Sequence, residues 1–228
     1  MKGEKTIFTH HTGAVNCVAL SSRTSTLLTA SSDDGYIIAR DIQFNHGAAQ
    51  VKDSFIDRRE EMPHYCALHP SGLFVATATE NYIREYAIAD MKLEPTKAIN
   101  MKLHFYSNTG HAVSNTAAPS VVKYSHGGQY LAAVTGKIAQ LFHMYNLDYN
   151  NSDLIGTPQR IMTVMDHTSV ITDIAFSYDD TMFITTDISG CVYSWVVGNS
   201  TTRTGDYVMK VGRVRLYIFL LLIYMFPY

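Results

Sequence analysis

Four stretches of this chain lie on one another when it is aligned with itself, and that self-similarity limits the fold more than any single motif. A recurring unit cannot bury its apolar face alone, so it stacks on copies of itself. The first unit comprises Val15–Ser21, Leu27–Thr29 and Asp34–Asp41, and the second Tyr65–Gly72, Leu73–Thr77 and Glu80–Tyr86. The third comprises Val121–Gly128, Tyr130–Val134 and Gly136–Phe142, and the fourth Ile171–Asp180, Met182–Thr186 and Ser189–Trp195. Each reads as strand, polar turn, strand, tight turn, strand. The matching residues Ser21, His69, Ser125 and Ser177 recur at intervals of roughly 50 residues, and the extra length falls between units, where loops accept insertions cheaply.

The fourth unit shows the physics. Val170-Ile171-Thr172-Asp173-Ile174-Ala175-Phe176 partly alternates apolar and polar residues, as a strand buried on one or both faces does. Tyr178-Asp179-Asp180 is turn chemistry, because short acidic side chains satisfy nearby backbone groups. Phe183-Ile184 and Val192-Tyr193 suit a pleated surface, and Ser189-Gly190 between them reads as a tight hairpin. No segment before the C-terminal tail sustains the i, i+3, i+4, i+7 pattern of a helix, so the expected fold class is all-β.

These units resemble the WD-repeat family, whose members are β-propellers. The resemblance implies about four blades of an incomplete or open propeller over residues 5–210, with units at about 10–60, 61–106, 118–160 and 164–210. It also implies a buried polar network. In the fourth unit His167 precedes the inner strand, Thr185 lies on the middle strand and Trp195 ends the third, so His would chain to Thr and to the indole N–H. The family's acidic turn residue is Ser189 here, so this network is expected to be incomplete. In the first unit His11 and Asp34 match, Ala30 replaces the hydroxyl residue and Arg40 replaces Trp. The second and third units end in Tyr86 and Phe142. The implied role of His11, Asp34, His167, Thr185 and Trp195 is structural, not catalytic.

Composition narrows the function. A net charge of −2 argues against broad phosphate binding, which needs a clustered basic surface, so no nucleic-acid partner is expected. Cys17, Cys66 and Cys191 are far apart with no ligand spacing, which argues against a zinc site and for a reducing compartment. The 10 histidines form no H-E-x-x-H pattern, and no phosphate-binding glycine loop or G-x-S-x-G elbow is present. We therefore expect no cofactor, no small-molecule substrate and no enzyme activity. Met1-Lys2-Gly3-Glu4-Lys5 leads into no apolar run, so the expected location is cytoplasmic.

The links differ in character. Gln43 to Pro63 is expected to hold an outer strand near Val51–Ile56, followed by a solvated turn at Asp57-Arg58-Arg59-Glu60-Glu61. Ala89 to Ser120 is the longest link, and its Ser107 to Ser120 part is rich in loop formers. That loop and Arg40 are the candidate partner contacts, Arg being common at interface hot spots. Arg40 also stands where Trp is usually buried, so a packing role is the equal alternative. The run is expected to follow an outer strand near Lys5–Phe8 and to break off near Lys210. Residues 211–228 then form an apolar tail without repeat pattern. Leu216 to Phe226 is short for a spanning helix, which needs about 20 apolar residues. Three readings stay open for the tail: translated intron left by a gene-model artefact, a buried apolar strand or helix, and membrane contact.

Within Glu61 to Phe142 and His167 to Trp195, certain phrases resemble the axonemal WD-repeat group of cilia- and flagella-associated proteins. They are Leu68-His69-Pro70-Ser71-Gly72, Ser125 to Val134 with Gly136 following, Asp180 to Thr185, and Gly190 to Trp195. The resemblance implies a protein-binding scaffold of the motile-cilium axoneme that helps place dynein regulators on doublet microtubules. The alternative is a general WD-repeat adaptor in ubiquitin ligation, trafficking or RNA-related complexes, because fold alone does not fix function.

Overall fold

In the second, third and fourth repeats the first turn sets up the strands around it. Ser125 Oγ accepts the N–H of Tyr130 at 3.2 Å, and Ser177 Oγ accepts the N–H of Met182 at 3.0 Å. In the second unit His69 Nδ1 takes the N–H of Ser71 at 3.1 Å instead. Each turn thus satisfies its own backbone and leaves the flanking strands free to pair.

The structure is a computed structural model that describes residues 7, 9–21, 25–30, 34–45, 48–58, 63–88, 95–100, 119–145, 156–197 and 207–213. The chain divides into two compact units, Met1–Lys102 and Leu103–Tyr228. The first holds β1 (Cys17–Leu20), β2 (Thr26–Ala30), β3 (Tyr36–Asn45) and β4 (Ala48–Arg58) in one sheet. Its second sheet is β5 (Tyr65–Leu68), β6 (Phe74–Ala78), β7 (Tyr82–Ala87) and β8 (Lys97–Asn100). The second unit holds β9 (Val121–Tyr124), β10 (Tyr130–Thr135), β11 (Ile138–His143) and β12 (Gln159–Val164). Its other sheet is β13 (Ile171–Phe176), β14 (Met182–Asp187), β15 (Cys191–Val196) and β16 (Tyr207–Arg213). Strands of each sheet pair antiparallel in chain order. The protein is all-β, built of four-stranded antiparallel sheets, with no α-helix among the described residues.

Burial follows sequence. β10 and β11 are buried on both faces, and the small residues Ala132, Ala133 and Ala139 let neighbours approach. β13 alternates instead. In the first unit the two sheets share a core of Cys17, Leu28, Ile37 and Ala39 against Cys66, Val75 and Tyr86. Between Leu103 and Tyr228 several contacts tie the two sheets, including the Lys123–Asp173 ion pair at 2.6 Å. Ile171 donates its N–H to Gly136 C=O at 2.8 Å, and the Asp180 carboxylate reaches the turn between β9 and β10.

Outer strands carry bulges at a recurring place. Register slips between Ala39/Arg40, Leu141/Phe142 and Ser194/Trp195, each at the register position that Trp195 holds in the fourth sheet. A bulge bends and twists an outer strand, which discourages pairing with another chain.

Several expectations fall differently. β4 runs through Asp57 and Arg58, which pair with Ile37 and Tyr36, so the charged block begins inside a strand and not in a turn. β16 extends to Arg213, three residues past Lys210. Lys5, Thr6 and Phe8, the tail from residue 214 and the loop from Ser107 to Ala118 lie outside the described residues. Among the described residues no helix is long and apolar enough to cross a membrane.

Candidate functional site

Among the described residues, a His–Thr–Asp polar chain runs through the first sheet and another through the fourth. In the fourth, Trp195 Nε1 donates to Thr185 Oγ1 at 2.9 Å. Thr185 Oγ1 lies 2.6 Å from His167 Nε2, and His167 Nδ1 lies 2.9 Å from Asp187 Oδ2. The donors and acceptors fit one direction: indole to hydroxyl, hydroxyl to imidazole, imidazole Nδ1–H to carboxylate. Asp187 Oδ1 then takes the N–H and hydroxyl of Ser189 at 2.9 and 2.6 Å and the N–H of Cys191 at 2.9 Å, which closes the β14–β15 turn.

The network is therefore complete, and the expected gap at Ser189 is corrected. Ser189 does stand at the turn position that holds Asp34 in the first unit, each just before a left-handed glycine, Gly190 and Gly35. The carboxylate arrives from the end of β14 instead, and Ser189 donates to it.

The first sheet repeats the arrangement with a different donor. His11 Nδ1 lies 3.1 Å from Asp34 Oδ2, and His11 Nε2 lies 2.9 Å from Thr29 Oγ1. Arg40 Nη1 donates to Thr29 Oγ1 at 3.1 Å. Thr29 supplies the hydroxyl, not the position of Ala30: Leu27 pairs with Arg40 as Phe183 pairs with Trp195, and Thr29 follows Leu27 as Thr185 follows Phe183. Equal spacing from Ser21 and Ser177 is the sequence signal for Thr29. Asp34 also takes the N–H groups of Thr12 and Tyr36 at 2.9 and 2.8 Å, tying the entering segment to the tight turn.

Arg40 is 1% exposed. Its guanidinium is used inside the sheet, and Nη2 lies 3.1 Å from His10 Nδ1. The reading of Arg40 as a partner contact is corrected, since a buried side chain offers no surface; the packing alternative describes what it does. In the third sheet the same register positions hold Ala133 and Phe142, which have no polar hydrogens to chain.

Thr185, His167 and Asp187 have the connectivity of a hydroxyl–imidazole–carboxylate triad. Burial decides against nucleophilic use. Thr185 is 0% exposed and the imidazole and carboxylate side chains are fully buried. The rings of Tyr193 and Trp195 enclose them, with His167 and Tyr193 centroids at 4.6 Å and Tyr193 and Trp195 at 5.7 Å. No substrate reaches the hydroxyl, and its oxygen already accepts the indole N–H.

Electrostatics match a fixed ionic network. Burial works to raise the pKa of Asp187, but hydrogen bonds from His167, Ser189 and Cys191 outweigh it and lower the group from 3.8 to about 2. Asp34 is likewise held below its ordinary value: burial raises it, and bonds from Tyr36, His11, Thr12 and Gly13 prevail. Among the described residues no cluster of three His, Cys, Asp or Glu side chains could hold a metal ion.

The family model "WD domain, G-beta repeat" matches residues 3–39 and 158–195, the stretches that contain most of the two polar chains. The chain is similar to "Cilia- and flagella-associated protein 57 C" of Tetrahymena thermophila, at 26% identity over 204 residues. That similarity covers 84% of this chain, which spans 13% of the relative's length.

Proposed function

We propose that this chain is a non-catalytic, protein-binding scaffold segment of a motile cilium or flagellum. It works in the cytoplasm and axoneme, and the protein that contains it helps place dynein regulators on doublet microtubules. One observation carries the ciliary reading: similarity to the ciliary relative extends over 204 residues, well beyond the two stretches that the WD-repeat model matches. The dynein-regulator role rests on the resemblance to the axonemal family.

The polar chains support a scaffold by what they do not do. They spend their hydrogen-bonding groups on holding turns and strands, so binding falls to the exposed turns. Leu73 and Ile188, 59% and 69% exposed, lie on such turns. Turns held on rigid sheets lose little freedom when a partner docks.

The test is localisation of the tagged natural protein in a ciliated cell. Axonemal signal that survives detergent extraction is expected, together with loss of dynein regulators from axonemes when the gene is deleted. A protein absent from cilia, recovered with a ubiquitin-ligase, trafficking or RNA complex, overturns the ciliary reading.

A further inference from the structure

Tyr178 stands at the tip of the β13–β14 turn with 90% of its surface exposed. The turn beneath it is tightly braced. Asp179 Oδ1 accepts the hydroxyls of Ser177 and Thr181 at 2.7 and 2.8 Å and the Thr181 N–H at 3.2 Å. Asp180 is buried and points the other way, accepting the N–H groups of His126 and Gly127 at 2.8 and 2.6 Å. That clamp sets the exposed His126 ring beside Tyr178, with centroids 6.0 Å apart.

The two turns, residues 125–129 and 177–181, contain two carboxylates and no Lys or Arg. Lys123, on neighbouring β9, is already paired with Asp173 at 2.6 Å. Hydrogen bonds from Ser177 and Thr181 keep the exposed Asp179 carboxyl ionised well below neutral pH. The bonds from Ser177 and Thr181 all use Oδ1, so Oδ2 keeps acceptor capacity for a ligand.

We propose that this turn pair is a docking point for an arginine-bearing segment of a protein partner, with the guanidinium stacked on the Tyr178 ring and bonded to Asp179 Oδ2. The site is a convex tip, which suits a macromolecule and not a small substrate. Its charge repels acidic and phosphorylated segments. A planar guanidinium can satisfy ring face and carboxylate together, which a compact ammonium does less well. The chain already uses this pairing internally, with Arg84 4.6 Å from the Tyr82 centroid. Because the turn is braced before binding, docking orders little of it.

The inference rests on the scaffold reading but not on ciliary placement. The test is fluorescence anisotropy with the full chain and a labelled Gly/Ser peptide carrying two arginines, alongside its citrulline and glutamate versions. Weak binding of the arginine peptide alone is expected, falling as salt rises. Tyr178→Ala and Asp179→Asn should each weaken it by about threefold to fivefold, the scale of an exposed cation–π contact. Tyr178→Ala should leave the thermal melt unchanged, since the side chain is exposed. Equal binding of arginine and citrulline peptides, preference for the glutamate peptide, no binding, or indifference to Tyr178→Ala each overturns the inference. None of these outcomes alters the localisation test.

Discussion

Arg40 donates to Thr29 at 3.1 Å in the first sheet, the bond that Trp195 makes to Thr185 at 2.9 Å in the fourth. A guanidinium and an indole thus do one job at one register position. Arg40→Ala removes the donor and most of a fully buried side chain, and should cost about 2–4 kcal/mol in a chemical denaturation series. Arg40→Trp restores an N–H donor and should recover more than half of that loss. If Arg40→Trp proves as unstable as Arg40→Ala, then charge, and not donor geometry, holds the site.

The carboxylates of both chains predict how stability falls in acid. Asp187 is lowered from 3.8 to about 2, and Asp34 moves in the same direction. A depressed folded-state pKa means that the ionised group stabilises the fold above about pH 4. That contribution is lost as pH drops from about 4 through about 2. Thermal melts across this window should fall steeply for the natural sequence. Asp187→Asn should be less stable at neutral pH and flatter in acid, and the two curves should converge near pH 2.

The sequence is legible where a residue type fixes the local physics. Repeats, strands and polar turns follow from apolar runs and from Ser177, Gly190 and their counterparts. The chain of His167, Thr185 and Trp195 is readable because family resemblance points to those positions, and the structure brings them together. Asp187 is not, because a carboxylate reaches several ångströms and can serve a turn from either side of it. Thr29 lies one residue from the expected position, since a strand register is set by pairing and not by a run of letters. Arg40 reads as a surface residue by type, and only its partners reveal a buried donor.

Buried thiols offer a local probe of the first unit. Cys17 Sγ donates to Cys66 C=O at 2.6 Å, between the inner strands of the two sheets. The thiol of Cys66 is pushed up by its hydrogen bond with Cys17 and by burial. Thiolate is the reactive form, so Cys66 and Cys17 should resist an aromatic disulfide reagent in the native protein. Half-buried Cys191 should react first. Mass spectrometry of partly labelled protein checks the order, and denaturant should speed labelling of Cys17 and Cys66 together. Fast labelling of Cys66 in native buffer would mean that these sheets separate readily.

Asp180 sets a backbone cost against a gain between sheets. Its φ is 58°, where the matching residues of the second and third sheets are Gly72 and Gly128 at 75° and 79°. A side chain held there costs about 1–2 kcal/mol. The return is a charged cap on the N–H groups of His126 and Gly127. Asp180→Ala keeps the strained backbone and loses the cap, and should destabilise by about 2–4 kcal/mol. Asp180→Gly loses the cap but relieves the strain, so it should be milder by about 1 kcal/mol. Gly127→Ala approaches from the other side: an added Cβ would sit 2.9 Å from Asp180 Oδ2, so the carboxylate must move off its donors. Denaturant melts of the three variants, and of Asp180→Gly combined with Gly127→Ala, separate the effects. If the cap is the reason for Asp180, Gly127→Ala should cost little once Asp180 is glycine, because the clash and the bond share the same oxygen.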